Sequence, residues 1–329
     1  MAREDQLRQA DPDRPPEGAG GQVSGVRDDQ GRHDEPLTGP ESFPVQSPLF
    51  HAEHADRYQR QEWIRRYQDL YRCRLIAVVD VLFGQTVTFV EELIYDASPD
   101  QDLHMILVSP GGDGEVALRL VRSLQARCNE LTVILPDIAK SAGTILVMGA
   151  HHILMAPTSD LGPVDPQFQI GGQQGLVSAK DIIAAVENAE KAVASSPDTY
   201  PIHAALLSDL TALQVEQARS ALARTGDLVT EALKSLPGRS ETEVSELKVK
   251  LHKALVDVPR DHSAVFSAQD AKDAGLPVEI ADPRSDQWRL VWRLYAKYFM
   301  MGAGPGFGMY EGANASRTVQ YGGPPTPPP

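Results

Sequence analysis

The first strongly patterned stretch of the chain, residues 74–81 (RLIAVVDV), is an aliphatic and β-branched run of strand length, and Val87, Val90, Leu93 and Ile94 then recur at helical spacing. The alternation repeats. Residues 104–109 (HMILVS) predict a second buried strand, stopped by Pro110-Gly111-Gly112, after which Val116, Ala117, Leu120, Val121 and Leu124 mark the apolar stripe of an amphipathic helix. Residues 131–135 predict a third strand that leads through Lys140-Ser141-Ala142-Gly143 into an apolar helix, and residues 152–155 a fourth. Apolar strands separated by helices imply an α/β fold with a largely parallel sheet and helices on its faces. From about Ser178 the pattern turns helical, over residues 179–194, 211–236 and 241–255, and no internal repeat is present.

Residues 287–301 (QWRLVWRLYAKYFMM) interleave Trp288, Trp292, Tyr295 and Phe299 with Arg289, Arg293 and Lys297. This predicts an amphipathic helix over 286–301, which packs on the core or another subunit or makes a peripheral membrane contact. The two ends differ from the middle. Residues 1–47 hold ten Asp or Glu, five Arg and almost no large apolar side chain, so they predict a disordered acidic leader. Residues 302–329, rich in Gly and ending GGPPTPPP, predict a flexible tail.

Composition narrows the function classes. At 329 residues and 42% hydrophobic the chain can build a large core, and a net charge of −14 excludes a general nucleic-acid surface, which needs clustered Lys and Arg. Two cysteines, Cys73 and Cys128, make neither a disulfide framework nor a zinc pattern, which suits a reducing compartment. The start is polar, without the apolar region of a secretory signal, and the apolar stretch 131–157 is broken by Pro136, Asp137 and Lys140, so a cytoplasmic protein is expected. His, Cys and carboxylates do not cluster at ligand spacing, and Gly111-Gly112-Asp113-Gly114 lacks the dinucleotide spacing, so neither a metal nor another cofactor is expected.

The candidate chemistry sits in two turns. Ser141, in Ala139-Lys140-Ser141-Ala142-Gly143-Thr144, lies between an apolar strand and an apolar helix. Small neighbours allow a sharp turn that lifts the hydroxyl out of the backbone, and the helix start supplies unpaired amides for an oxyanion. The plainer reading is an N-cap serine. Ser109-Pro110-Gly111-Gly112-Asp113 follows the preceding strand, and its paired glycines let backbone amides approach a ligand, although Pro-Gly-Gly is also an ordinary turn. Both turns one strand-helix unit apart form a more specific signal than either alone.

In that order the chain resembles the Clp protease and signal-peptide-peptidase branch of the crotonase-like fold, and within it the serine dehydrogenase proteinases, through residues 138–167 (IAKSAGTILVMGAHHILMAPTSDLGPVDPQ) and again through 266–278 (FSAQDAKDAGLPV). The resemblance implies a peptidase domain over 48–285, a homo-oligomer and a peptide or protein substrate. It implies Ser141 as the acylated nucleophile and the amides of Gly111, Gly112 and Ala142 as the oxyanion hole. It leaves the base open. Where Clp proteases carry a His, this chain has Leu161-Gly162-Pro163-Val164-Asp165-Pro166, and where they carry the orienting Asp it has Asp261-His262-Ser263. One expectation is therefore that His262 is the base and Asp165 orients it. The rival is a Ser-Lys pair with Lys180 or Lys191, while Lys140 should point away from Ser141. His151, His152 and His203 read as core, edge or surface residues. The sum is an ATP-independent serine peptidase, with another acyl hydrolase (an esterase or acyl-CoA enzyme) or a noncatalytic oligomeric scaffold as alternatives.

Overall fold

A computed structural model describes residues 47–170, 176–257, 264–304 and 306–320. The leader up to residue 46, His262 and the last residues from 321 onward lie outside the described residues. The chain divides into two units at Ala52 and Glu53. The first contributes most of a short helix, α1 (Pro48–Glu53), none of whose side chains is buried.

The second unit opens with α2 (Ala55–Tyr71), which leads into β1 (Cys73–Val79), α3 (Gly84–Ile94), β2 (Asp102–Val108), α4 (Gly114–Gln125) and β3 (Leu131–Leu135). A short strand β4 (Ile138–Ala139) precedes α5 (Ala142–Met148), β5 (His152–Met155), β6 (Asp160–Leu161), β7 (Gln167–Phe168) and β8 (Val177–Ser178). A helical stretch follows, α6 (Ala179–Ser195), α7 (Tyr200–Leu206), α8 (Ala212–Ser235) and α9 (Glu241–His252). The unit closes with β9 (Phe266–Ser267), α10 (Ala268–Ala274), β10 (Val278–Ile280), α11 (Asp286–Met300), β11 (Phe307–Gly312) and β12 (Ser316–Gln320).

The main sheet has seven strands in the order β10-β5-β3-β2-β1-β11-β12. The first five run parallel, so the expected α/β class holds, while β11 pairs antiparallel with β1 and β12 with β11. Strand alternation sends Ile76, Val78, Met105, Leu107, Val133 and Leu135 to one face, where α3, α4, α5, α8 and α9 cover them. Leu75, Ala77, Val79, Ile106 and Ile134 point to the other face, under α2 and α11. Burial on both faces explains why these strands read as continuous apolar runs.

The structure corrects the expectation of a flexible tail from residue 302. Residues 307–320 form the β11–β12 hairpin, with Val79 opposite Met309 and Ile76 opposite Gly312. Without it, the fully buried run of β1 would end the sheet with unpaired backbone groups. The hairpin is fixed from α2 by a buried two-pronged ion pair: Arg60 Nε donates to Glu311 Oε2 at 2.7 Å and Arg60 Nη2 to Oε1 at 3.0 Å. Helix α11 buries Trp288, Leu290, Val291, Leu294, Tyr295 and Tyr298. Among the described residues no helix is long and apolar enough to cross a membrane.

A three-stranded sheet, β4-β6-β9, has β6 parallel to β4 and antiparallel to β9. It joins the carboxyl end of β2 through a bridge between Ser109 and Ala139. This places the turn after β2, the turn after β4 and the segment after β6 side by side at the carboxyl ends of the parallel strands.

Candidate active site

Ser141 stands between β4 and α5 with φ 47° and ψ −113°. Among the described residues other than glycine, Arg72 alone shares a positive φ. L-residues avoid that region, so the surroundings must hold it. They do so through the backbone on either side. The Ser141 amide donates to Pro163 O at 3.2 Å, the Lys140 amide to Ser109 O at 2.9 Å and the Gly143 amide to Lys140 O at 2.8 Å. Thr144 Oγ1 reaches Ala139 O at 2.7 Å and Gly162 O at 3.0 Å. The hydroxyl of Ser141 makes no cap bond to α5, so the N-cap reading fails, and the side chain is partly exposed.

The turn after β2 lies directly against this serine. A β-carbon placed on Gly111 would come within 3.0 Å of Ser141 Cβ and 3.7 Å of its Oγ, so only glycine allows the approach. Gly111 and Gly112 have φ of 127° and 136°. The turn is closed by Ser109 Oγ, which donates to Gly111 O at 3.1 Å and accepts from its amide at 3.2 Å. It is held by Leu82, three positions beyond β1, whose amide donates to Gly111 O and whose carbonyl accepts from the Asp113 amide, each at 2.8 Å. Among the described residues, the amides of Gly112 and Ala142 take no part in the hydrogen bonds that hold these turns.

The candidate base residues are spread over three further segments. Asp165 is 3% exposed, accepts from Gln167 Nε2 at 3.4 Å, and follows Pro163, the acceptor of the Ser141 amide, by two positions. His262 lies outside the described residues, but the chain just beyond it is fixed: Ala264 O accepts from Lys140 Nζ at 3.2 Å and the Phe266 amide donates to Asp160 Oδ1 at 2.8 Å. Lys180, in the first turn of α6, is half-buried and donates to Val256 O at 3.4 Å. The neighbouring Ala179 amide binds Pro166 O at 2.8 Å, and the Val164 amide binds Leu255 O at 3.0 Å, so α6 and the turn that follows α9 share the 163–166 segment with Ser141. Lys191 is exposed about 16 Å further along α6.

Three further histidines lie elsewhere in the fold. His151 Nδ1 accepts from the Leu131 amide at 3.0 Å, with burial lowering the imidazole pKa; His152 pairs with Glu130 at the surface; half-buried His203 sits on α7. Among the described residues no cluster of three or more His, Cys, Asp or Glu is placed to hold a metal ion. A cleft of about 750 Å³ lies instead beside α11, between Pro157, Pro283, Trp288 and Trp292, and is lined by none of the candidate site residues.

Sequence reasoning missed the partner taken by Lys140. Its ammonium pairs with Asp160, both side chains mostly buried, and its stem crosses Gly162. The signal was the Asp160-Leu161-Gly162-Pro163 run, whose glycine has no turn to make and leaves room for a neighbour.

A family model described as ClpP-like SDH-type serine proteinase matches residues 88–301, which takes in both glycine turns, Ser141, Asp165 and the 264–267 segment. Two curated relatives are uncharacterized proteins of Methanocaldococcus jannaschii, 29% identical over 189 residues and 24% over 185. The alignments cover 57% and 56% of this chain and 57% and 54% of those proteins, so the chain spans little more than half the length of the curated relatives it matches.

Proposed function

The chain belongs to the ClpP-like SDH-type serine proteinases, and from that membership we propose that it hydrolyses peptide bonds through an acyl-enzyme on Ser141. The observation that carries the proposal is the backbone of Ser141, held at φ 47° against the two glycines of the preceding turn, with its hydroxyl uncommitted to the helix. A serine kept strained and uncapped is poor for stability and good for presenting an oxygen.

In the proposed reaction a base takes the proton from Ser141 Oγ as the oxygen attacks the scissile carbonyl carbon. The electron pair moves to the carbonyl oxygen, which the amides of Gly112 and Ala142 hold, with Gly111 shaping the turn. Collapse expels the amine, which receives the base's proton, and water repeats the sequence on the ester to release the acid. The scheme draws on neither ATP nor a metal. His262 is the proposed base and Asp165 its orienting partner. Support comes from Ala264, two positions after His262 in sequence, whose carbonyl is tied to the residue before Ser141, and from the burial of Asp165 two positions beyond Pro163. Lys180 is the second reading, favoured by its hydrogen bond to Val256 beside the 163–166 segment. Lys191, exposed on the same helix, has no such support. Assembly into a homo-oligomer, common among Clp-like proteases, completes the proposal, with the exposed Trp292, Phe299 and Met300 of α11 open to a neighbouring subunit or a lipid surface.

The test is labelling with a fluorophosphonate, followed by a peptide-library digest. Labelling that maps to Ser141 and vanishes in Ser141→Ala, with cleaved peptides, is expected. Labelling with ester but no peptide turnover would make it another acyl hydrolase, and a folded protein that never labels would make it a scaffold. Loss of labelling above neutral pH in His262→Ala but not Lys180→Met identifies the histidine; the reverse identifies the lysine.

A further inference from the structure

The reaction scheme makes no use of Lys140, yet this side chain is tied down on several sides. Its ammonium is bonded to the Asp160 carboxylate and to Ala264 O at 3.2 Å, and both side chains of the ion pair are only 12% and 13% exposed. The other oxygen of Asp160 accepts the Phe266 amide at 2.8 Å, so one carboxylate joins the lysine to β9. The methylene stem lies in a channel that exists because residue 162 is glycine: a β-carbon there would stand 1.9 Å from Lys140 Cδ. The Lys140 main chain reaches Ser109 O at 2.9 Å in one direction and the Gly143 amide at 2.8 Å in the other.

Four segments therefore converge on one residue: the turn after β2, the start of α5, the Gly162-Pro163 wall that accepts the Ser141 amide, and β9. A largely buried ion pair is weak as a source of stability, because desolvation offsets the attraction and an apolar pair would often do as well. What an anchored charge does supply is one fixed geometry. We propose that Lys140 is a positioning residue, which with Asp160 and Gly162 clamps the peptide ahead of Ser141 and so holds the serine in its strained, reactive conformation. The proposal rests on the reading of Ser141 as nucleophile. Lys140 needs no contact with substrate for this; a displacement of the serine of about 1 Å costs roughly 100-fold in rate.

The experiment measures the rate of fluorophosphonate labelling of the full chain against reagent concentration and pH, for wild type, Lys140→Met, Lys140→Arg, Asp160→Asn and Gly162→Ala. Gly162→Ala is the sharpest probe, since it displaces the stem and leaves every charge in place. The maximal labelling rate should fall about 10- to 100-fold in Lys140→Met and Gly162→Ala, with half-saturating reagent unchanged. Lys140→Arg should recover part of the loss, and the pH inflection should stay at its wild-type position. Thermal unfolding followed by circular dichroism checks the fold, and Asp160→Asn stands in where Lys140→Met does not fold. Wild-type rates in Lys140→Met and Gly162→Ala would overturn the clamp while leaving the nucleophile intact. Disappearance of the pH inflection in Lys140→Met would also overturn it, by making the lysine the base. A wild type that is not labelled at Ser141 would overturn the nucleophile and the clamp together.

Discussion

Replacing Gly112 by alanine tests whether the turn after β2 is shaped for an amide or is only a loop. The added carbon would stand 2.3 Å from Leu82 O and 2.7 Å from Leu82 N, both main-chain atoms with no rotamer to swing aside. It would also sit on a backbone at φ 136°, a region costing an L-residue about 1–3 kcal/mol. Relief of the clash must part Leu82 from the turn and loosen two hydrogen bonds of 2.8 Å, at about 1 kcal/mol each. The sum is about 3–5 kcal/mol, a large share of the roughly 5–15 kcal/mol that holds a typical domain. Gly112→Ala should thus unfold at clearly lower urea, yet remain folded in buffer. If the Gly112 amide holds the oxyanion, the rate of fluorophosphonate labelling should also fall by at least about 100-fold. Gly84→Ala, where a β-carbon meets nothing within 4 Å, is the control and should be neutral or slightly stabilising. A Gly112→Ala protein with the wild-type urea midpoint would refute the packing argument, and one that labels at the wild-type rate would refute the oxyanion role.

Two further outcomes concern the scaffold. Glu311→Gln leaves Arg60 charged at 3% exposure and should lower stability by about 3–5 kcal/mol in urea titration, whereas Arg60→Met with Glu311→Leu should come closer to wild type, since an apolar pair avoids the desolvation. His104 gives a pH dependence: burial lowers its pKa from 6.5 to about 4 beside the Tyr67 hydroxyl at 2.8 Å. Between those values the unfolded chain binds the extra proton, so stability from this group is complete above pH 6.5 and declines as the pH falls towards 4, by up to about 3 kcal/mol. Urea midpoints at pH 7 and pH 4.5 should diverge less in His104→Gln than in wild type; equal divergence would sink the assignment.

The two turns that carry the candidate residues were legible in the sequence, because each depends on local chain geometry. Two strand-turn-helix units, each with small residues at the turn, are enough to predict Gly111, Gly112 and Ser141, because a sharp turn with a close approach restricts the residue types. The approach of the two turns then follows from β2 and β3 being neighbours in a parallel sheet. The sequence left the base open, because the choice depends on which distant segment returns to the serine. That return is made by strands of two residues, β4, β6 and β9, too short to show any periodicity. Lys140 was read only as turned away from Ser141, and its pairing with Asp160, 20 positions on, was missed because it too depends on those short strands.

The misread hairpin shows that a sheet has a closure condition that single segments do not reveal. β1 is apolar at every position that matters and fully buried from Leu75 to Val78, so it cannot be an edge. β2 satisfies one side, and the other parallel strands fall beyond β2, so a further strand must exist on the free side. The stretch after α11 supplies it, through β11. Its period was hidden by Glu311, a charge at a buried position, made tolerable by Arg60 from a helix far away in sequence. An apolar strand left at the edge of a sheet therefore argues for a missing partner, even where the only candidate carries a carboxylate in its middle.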